Sequence, residues 1–200
     1  AKGQIVAPGF IDPHTHFDAQ LLWDGAAKPA IEHGVTTIVP GNCSLSLAPL
    51  KAEHRMKLVG MFNQIEEMPH KAFEEGVEWN WETFEEFVGR IEKDLTINVA
   101  PLVGHSVLRL WVMGDASMQG PANQTQIDAM KDLLSQCLSA GAIGLSSSFV
   151  DMDERLQPVF ILTHLYQTEA VDVEAMIEET LEAVSYFKSA VCDTVDLVHR

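Results

Sequence analysis

The chain has 200 residues, and 13 basic against 29 acidic residues give it a net charge of −16. This acidity argues against nucleic acids and anionic membranes as partners, because phosphate binding requires a basic patch. No apolar run is long enough to span a membrane, and three cysteines without framework spacing are typical of the reducing cytoplasm, so we expect a cytoplasmic protein.

The first predicted element is a short buried strand over Ile5–Ile11, which is rich in apolar residues and leads into His14-Thr-His16. Side chains alternate along an extended chain, so His14 and His16 are expected on one side and Thr15 on the other. Two imidazoles on one side can grip a divalent metal such as zinc. The alternative is a pair of surface histidines at a strand end.

Strands and helices then alternate, as in the βαβ units of a parallel sheet. Asn80 is the expected N-cap of the third helix, and residues 68–70 are expected to form a polar connection. The predicted strands after the first are Val35–Val39, Ile97–Val103, Ala142–Ser146, Val159–Leu165 and Val195–His199. The predicted helices are a short one ending at Gly34, Lys51–Ile65, Trp81–Asp94, Thr125–Ala140 and Val173–Lys188.

One connection does not fit this pattern. The polar residues between Phe149 and Val159 are too few for a parallel crossover that contains a helix. We therefore expect either a missing helix at this place or a tail after Pro158 that packs differently.

Cys43 follows the second predicted strand, 27 residues after His16, a separation that fits one helix and one strand. It is therefore expected beside the two histidines, at the end of the neighbouring strand. A thiolate there can hold one zinc ion or bridge two. The alternative is a small buried hydrophobe, which is the interpretation we favour for Cys137 on the apolar face of its helix.

Four segments together resemble a known family. They are residues 6–16 (VAPGFIDPHTH), 35–50 (VTTIVPGNCSLSLAPL), 98–106 (NVAPLVGHS) and 141–147 (GAIGLSS). They are similar to the amidohydrolase superfamily, and the Gly-Asn-Cys strand end is similar to its N-acyl-D-amino-acid deacylase (D-aminoacylase) branch. The resemblance implies an α/β fold that is part of a (β/α)8 TIM barrel. Residues 1–158 would form its first four βα units and residues 159–200 a further, poorly matched part.

The resemblance also implies one or two zinc ions, held by His14, His16, Cys43 and His164. In that family an N-terminal β-sandwich and later barrel strands accompany these units, and we expect both to be absent from this chain. An aspartate at the end of strand eight serves as general base there, and no segment here resembles it.

Four further residues are candidates for the pocket or for support of the metal ligands. Asp12 could orient an imidazole or cap the strand end. The resemblance puts His105 near the pocket without making it a ligand, and His199 could supply the next strand's histidine or be simply exposed. Ser146 ends the fourth strand, and no Gly-x-Ser-x-Gly elbow makes it a nucleophile.

The functional hypothesis from these residues is a zinc-dependent hydrolase of a non-peptide carbon–nitrogen bond. The resemblance implies an N-acyl-D-amino acid as its small-molecule substrate, with cyclic amides such as hydantoins as an alternative. A second hypothesis is an incomplete barrel without activity, whose unpaired strand edges would favour a homo-oligomer. A third is a hydrolase with Cys43 as nucleophile and His16 as base, for which no orienting group is evident.

Overall fold

A computed structural model describes residues 2–148. Within them lie five short strands and six α-helices. The strands are β1 (Phe10–Asp12), β2 (Val35–Ile38), β3 (Asn98–Val99), β4 (Leu102–Gly104) and β5 (Gly144–Ser146). The helices are α1 (Lys28–Glu32), α2 (Arg55–Ile65), α3 (His70–Gly76), α4 (Phe84–Ile91), α5 (His105–Met113) and α6 (Gln124–Ser139).

All strand pairs in this part of the chain are parallel, in the orders β1-β2-β3 and β4-β5. Residues 98–104 belong to both sheets: their first part, β3, pairs with β2, and their second part, β4, pairs with β5. Backbone hydrogen bonds from Ala100 N–H to the Ile38 carbonyl and from Leu102 N–H to the Pro40 carbonyl bridge the change of partner. If β3 and β4 are counted as one interrupted strand, the carboxyl ends of four neighbouring strands therefore meet at one edge.

The helices cover these strands with a continuous apolar core. The predicted helix Thr125–Ala140 is confirmed as α6, which begins at a capping box between Asn123 and Gln126 and buries Met130 and Cys137. The helix ending near Gly34 and the helix ending at Ile65 are confirmed as α1 and α2. Aromatic rings fill the space around α2, α3 and α4, with neighbouring ring centroids 5.3–6.3 Å apart; they are Phe62, Phe73, Trp79, Trp81, Phe84 and Phe87.

The first strand is shorter than predicted, and the prediction that Ile5–Ile11 is buried was wrong. Ile5 is 94 % exposed and Phe10 is 68 % exposed. The reason lies in its neighbour: β2 begins only at Val35, opposite Phe10, so the residues before Phe10 meet no partner strand in the described part of the chain. Pro8 also lacks the N–H that a ladder needs.

The third predicted helix begins later than expected, and Asn80 is not its N-cap. Thr83 caps α4, since its hydroxyl accepts the N–H of Glu86 while the Glu86 carboxylate accepts the N–H of Thr83. Trp81 lies before the helix with a buried ring whose Nε1–H donates to the Leu47 carbonyl. This reciprocal cap satisfies two N–H groups at once, which Asn80 does not do here.

Three other features differ from the prediction. The predicted strand Ile97–Val103 is divided into β3 and β4, because Pro101 has no N–H and the chain changes partner there. His105 follows β4 and begins helix α5, where no helix was predicted. A further short helix, α3, follows Pro69, where a polar connection was expected.

The predicted elements at 159–165, 173–188 and 195–199 lie outside the described residues. So do the candidate ligands His164 and His199 and the connection before Pro158. Among residues 2–148, no helix has the length and apolarity needed to cross a membrane.

Candidate metal centre

The two histidines lie just beyond β1, in a segment that bends at Pro13 and His14. Thr15, between them, is buried and donates both its backbone N–H and its hydroxyl to the Val39 carbonyl, at 3.1 and 3.0 Å. Because the side chain of Thr15 points into the core, the rings of His14 and His16 lie together on the other side, with centroids 5.3 Å apart. The predicted alternation is confirmed, although the residues follow the strand instead of belonging to it.

Cys43 lies in a tight turn after β2, whose backbone enters the left-handed region. The φ angles are +87° at Gly41, +52° at Cys43 and +68° at Ser44. Two consecutive non-glycine residues in this region are uncommon and are held only where the surroundings determine them. Here the turn is pressed against β4, since a Cβ on Gly41 would lie 2.2 Å from the Leu102 carbonyl oxygen.

These two segments bring together three side chains that could hold a metal ion. The Sγ of Cys43 lies 3.3 Å from Nε2 of His14, and one ligand atom each from His14, His16 and Cys43 lie within 4.8 Å of one another. The predicted convergence at adjacent parallel strand ends is confirmed. The donor set suits zinc, because two imidazoles and a thiolate are its usual ligands in proteins. Three donors leave room for a further ligand or for water.

A buried polar network ties the histidine segment to the cysteine turn. The Asp18 carboxylate accepts the N–H of Gly41 at 3.1 Å, and the Asn42 amide donates to the carbonyls of Val39 at 2.7 Å and Thr15 at 3.4 Å. Thr15, Asp18 and Asn42 are all at most 9 % exposed. Such bonds are well shielded from water, so this network sets the spacing between the imidazoles and the thiol.

Serines support the same turn from the other side. The Ser44 hydroxyl pairs with that of Ser106 at 2.9 Å, and the Ser44 N–H donates to Ser146 Oγ at 3.2 Å. Ser146 also donates its hydroxyl to the Gly41 carbonyl. Ser146, predicted as a pocket or supporting residue, therefore joins the end of β5 to the cysteine turn.

Burial governs the electrostatics around the three donors. It lowers the pKa of His16, with a smaller contribution from His14, so that ring favours the neutral form a metal ligand needs. It raises the pKa of Asp18 to about 7 and raises the pKa of Glu66 above its usual value. Glu66 lies beside His16, with its Oε1 3.5 Å from the ring Nδ1.

Asp12 and His105 each make a polar contact at the strand ends. The Asp12 carboxylate accepts the backbone N–H of His14 at 3.2 Å, so it caps the strand end, one of its two predicted roles. His105 Nδ1 lies 3.4 Å from the hydroxyl of Ser147, at the ends of β4 and β5. Burial, and secondarily Arg109, lower the pKa of His105 to about 4.

We expect His105 to make folding sensitive to acid. Its folded-state pKa lies below the 6.5 of an unfolded chain, so between these values only the unfolded protein takes up the proton. The stability that the neutral His105 contributes is fully present above about pH 6.5 and is lost as the pH falls towards 4. Replacing His105 with Gln should flatten that part of the profile, measured as the free energy of urea unfolding of the metal-free protein from pH 7 to 4.

The control for this experiment is His70→Gln, which removes an exposed imidazole at the start of α3. It should leave the acid profile as it is in the wild type. An unchanged profile in His105→Gln would show that this imidazole is not kept neutral by folding.

The sequence family model described as "Amidohydrolase family" matches residues 1–189. The chain belongs to the amidohydrolase family. Within it, this amidohydrolase is similar to the D-aminoacylase of Alcaligenes xylosoxydans xylosoxydans, with 39 % identity over 147 residues that cover 73 % of this chain and 28 % of that protein. It is 37 % identical to the N-acyl-D-aspartate deacylase of the same organism over 148 residues, covering 74 % and 27 %. The predicted membership of the D-aminoacylase-like branch is confirmed.

Solved structures agree. The crystal structure of an N-acyl-D-glutamate deacylase from Bordetella bronchiseptica, complexed with zinc and a phosphonate inhibitor, is similar with a TM-score of 0.57 and 30 % identity, over 71 % of this amidohydrolase and 27 % of that chain. A crystal structure of D-aminoacylase gives a TM-score of 0.54 with 36 % identity, over 70 % and 27 %. The amidohydrolase chain thus spans about a quarter of the length of these relatives.

Sequence reasoning missed two acidic residues of the centre. Asp18 lies two residues beyond His16, and Glu66 follows α2, far along the chain. A carboxylate so close to a metal-ligand motif was a usable signal for Asp18, since ligand imidazoles and their loops are commonly held by acceptors. Nothing in the sequence indicated Glu66, because its position depends on how α2 packs.

Proposed function

We propose that this chain carries the metal-binding part of a zinc-dependent hydrolase that removes the acyl group from N-acyl-D-amino acids. The observation that carries the proposal is the convergence of His14, His16 and Cys43 at the ends of β1 and β2. Three relatives matched over 147–156 residues support the substrate class, because they are named D-aminoacylase, N-acyl-D-aspartate deacylase and N-acyl-D-glutamate deacylase. The reaction would split an amide into a carboxylate and a free amino acid.

The described residues support this chemistry by holding a neutral imidazole and a thiol in a fixed arrangement. Burial favours the neutral imidazole of His16, and the network through Thr15, Asp18 and Asn42 holds the thiol 3.3 Å from His14. When bound, zinc supplies Lewis acidity, which polarises an amide carbonyl and lowers the pKa of water. The three side chains would hold it from backbone segments that the polar network already fixes, which favours binding.

The architecture that fits these units is a (β/α)8 barrel, of which residues 2–148 contribute the first parallel strands and their helices. Support comes from the parallel order of the strands and from the position of the donors at the carboxyl ends, where barrel enzymes place their active sites. The remaining ligands and the general base would come from other parts of the barrel, and His164 is a candidate for one of the ligands.

The test measures metal and activity together in the intact protein. We expect elemental analysis to find one or two zinc ions per chain, and we expect hydrolysis of N-acetyl-D-amino acids well above that of the L-enantiomers. A chelator should abolish activity and added zinc should restore it. Hydrolysis of hydantoins but not of N-acyl amino acids would favour the cyclic-amide alternative, and a protein without bound metal would contradict the proposal.

A further inference from the structure

A buried nitrogen of the candidate metal centre is left unsatisfied. Nδ1 of His16 is inaccessible to solvent and has no hydrogen-bond partner among the described residues. A buried imidazole N–H without an acceptor destabilises the folded protein, so a hydrogen bond from this N–H to a nearby acceptor is favoured. The nearby acceptor is the Glu66 carboxylate, whose Oε1 lies 3.5 Å away.

Glu66 is held firmly enough to serve as that acceptor. It follows the last residue of α2, and its own N–H and that of Met68 both donate to the Phe62 carbonyl, at 3.0 and 3.3 Å. The side chain of Asn63 closes the turn by donating to the Met68 carbonyl at 3.0 Å. Since Phe62 is buried in the core, the turn is anchored to it.

The side chains of His16 and Glu66 are similarly sheltered, at 20 % and 18 % exposed. A carboxylate in such surroundings accepts a stronger hydrogen bond than one in water. The present separation exceeds a normal hydrogen bond of about 2.9 Å by an amount that a small rotation of the ring would remove.

We infer that Glu66 is a positioning residue, which accepts the Nδ1–H of His16 and so presents the Nε2 lone pair of that ring to the metal. The inference rests on the proposed function, because it gives Glu66 its role through a ligand of the zinc site. Glu66 acts through His16 and is not required to touch metal or substrate. Partners of this kind typically change metal affinity by about 10- to 100-fold when they are removed.

Three variants of the intact protein test this role. Glu66→Ala should weaken zinc binding about 10- to 100-fold in competition with a chromophoric chelator. Glu66→Gln should keep most of the affinity, because its amide oxygen still accepts the N–H. Glu67→Gln is the matched control: it removes one charge from the exposed neighbouring residue and should leave the affinity unchanged.

A second measurement does not depend on any variant folding. Two-bond ¹H–¹⁵N spectra of the wild-type imidazoles should find the proton of neutral His16 on Nδ1, in the metal-free and in the zinc-loaded protein. A proton on Nε2 in the metal-free protein would overturn the inference. So would an affinity of a folded Glu66→Ala within twofold of the wild type.

The outcomes separate this inference from the proposed function. A wild-type protein that binds no zinc contradicts the proposed function itself. A wild type that binds zinc, with Glu66→Gln as damaging as Glu66→Ala, shows that the charge of Glu66 is needed directly and overturns the positioning role alone.

Discussion

Replacing Cys43 with Ala is expected to abolish tight zinc binding and amide hydrolysis in the intact protein. The Sγ is one of three donors that lie within 4.8 Å of one another, so its loss leaves two imidazoles in the described part of the site. Two neutral donors hold zinc far more weakly than a set that includes a thiolate. Zinc retained after dialysis and the initial rate of N-acyl-D-amino acid hydrolysis measure the effect.

Cys137→Ala is the matched control for this substitution. Cys137 is 2 % exposed in the core-facing side of α6, and burial raises the pKa of its thiol to about 11, so it stays protonated. We expect this variant to lose about 1 kcal/mol of stability while keeping zinc and activity. Full zinc content and wild-type hydrolysis in Cys43→Ala would refute the ligand role of Cys43.

Gly41→Ala is expected to damage the centre without touching a ligand. Its φ of +87° disfavours any side chain, and a Cβ would meet the Leu102 carbonyl oxygen at 2.2 Å. The backbone cost and the clash together should lower the free energy of unfolding by about 3 kcal/mol. Because Gly41 also donates to Asp18, the turn must move and carry Cys43 with it, so zinc affinity should fall as well.

The control is Gly89→Ala, in the exposed middle of α4, where a Cβ meets nothing within 4 Å. Alanine stabilises a helix interior relative to glycine by about 0.5–1 kcal/mol, so this variant should be slightly more stable than the wild type. Urea unfolding of the metal-free proteins compares the two. If Gly41→Ala were as stable as the wild type, the turn would not be confined by β4.

The elements that were predictable from sequence are those with a clear local pattern. Helix α6 has an apolar stripe and a good N-cap, and β2 is a short β-branched run that ends before a glycine. The histidine pair and Cys43 were predictable because strand periodicity and the length of one βα unit determine where they lie. The (β/α)8 barrel and the ligand roles remain predictions.

The errors occur where tertiary contacts override local pattern. Helix α5 was not predicted, because its buried residues include the polar Ser106 and Arg109 beside Val107, Leu108 and Leu110, which blurs the apolar pattern in the sequence. The exposed residues before Phe10 look like a strand but have no partner of matching length among residues 2–148. Glu66 could not be found because its neighbour His16 is 50 residues away in sequence.

One backbone atom accepts hydrogen bonds from both the histidine segment and the cysteine turn, and no substitution of its own residue can remove it. The Val39 carbonyl oxygen accepts the N–H and hydroxyl of Thr15 and the amide of Asn42. Every amino acid carries this oxygen, so no codon change at position 39 can delete it. Only substitutions of the donors, Thr15 and Asn42, can therefore remove these hydrogen bonds. Substitutions of Val39 by residues of similar size should leave the centre intact.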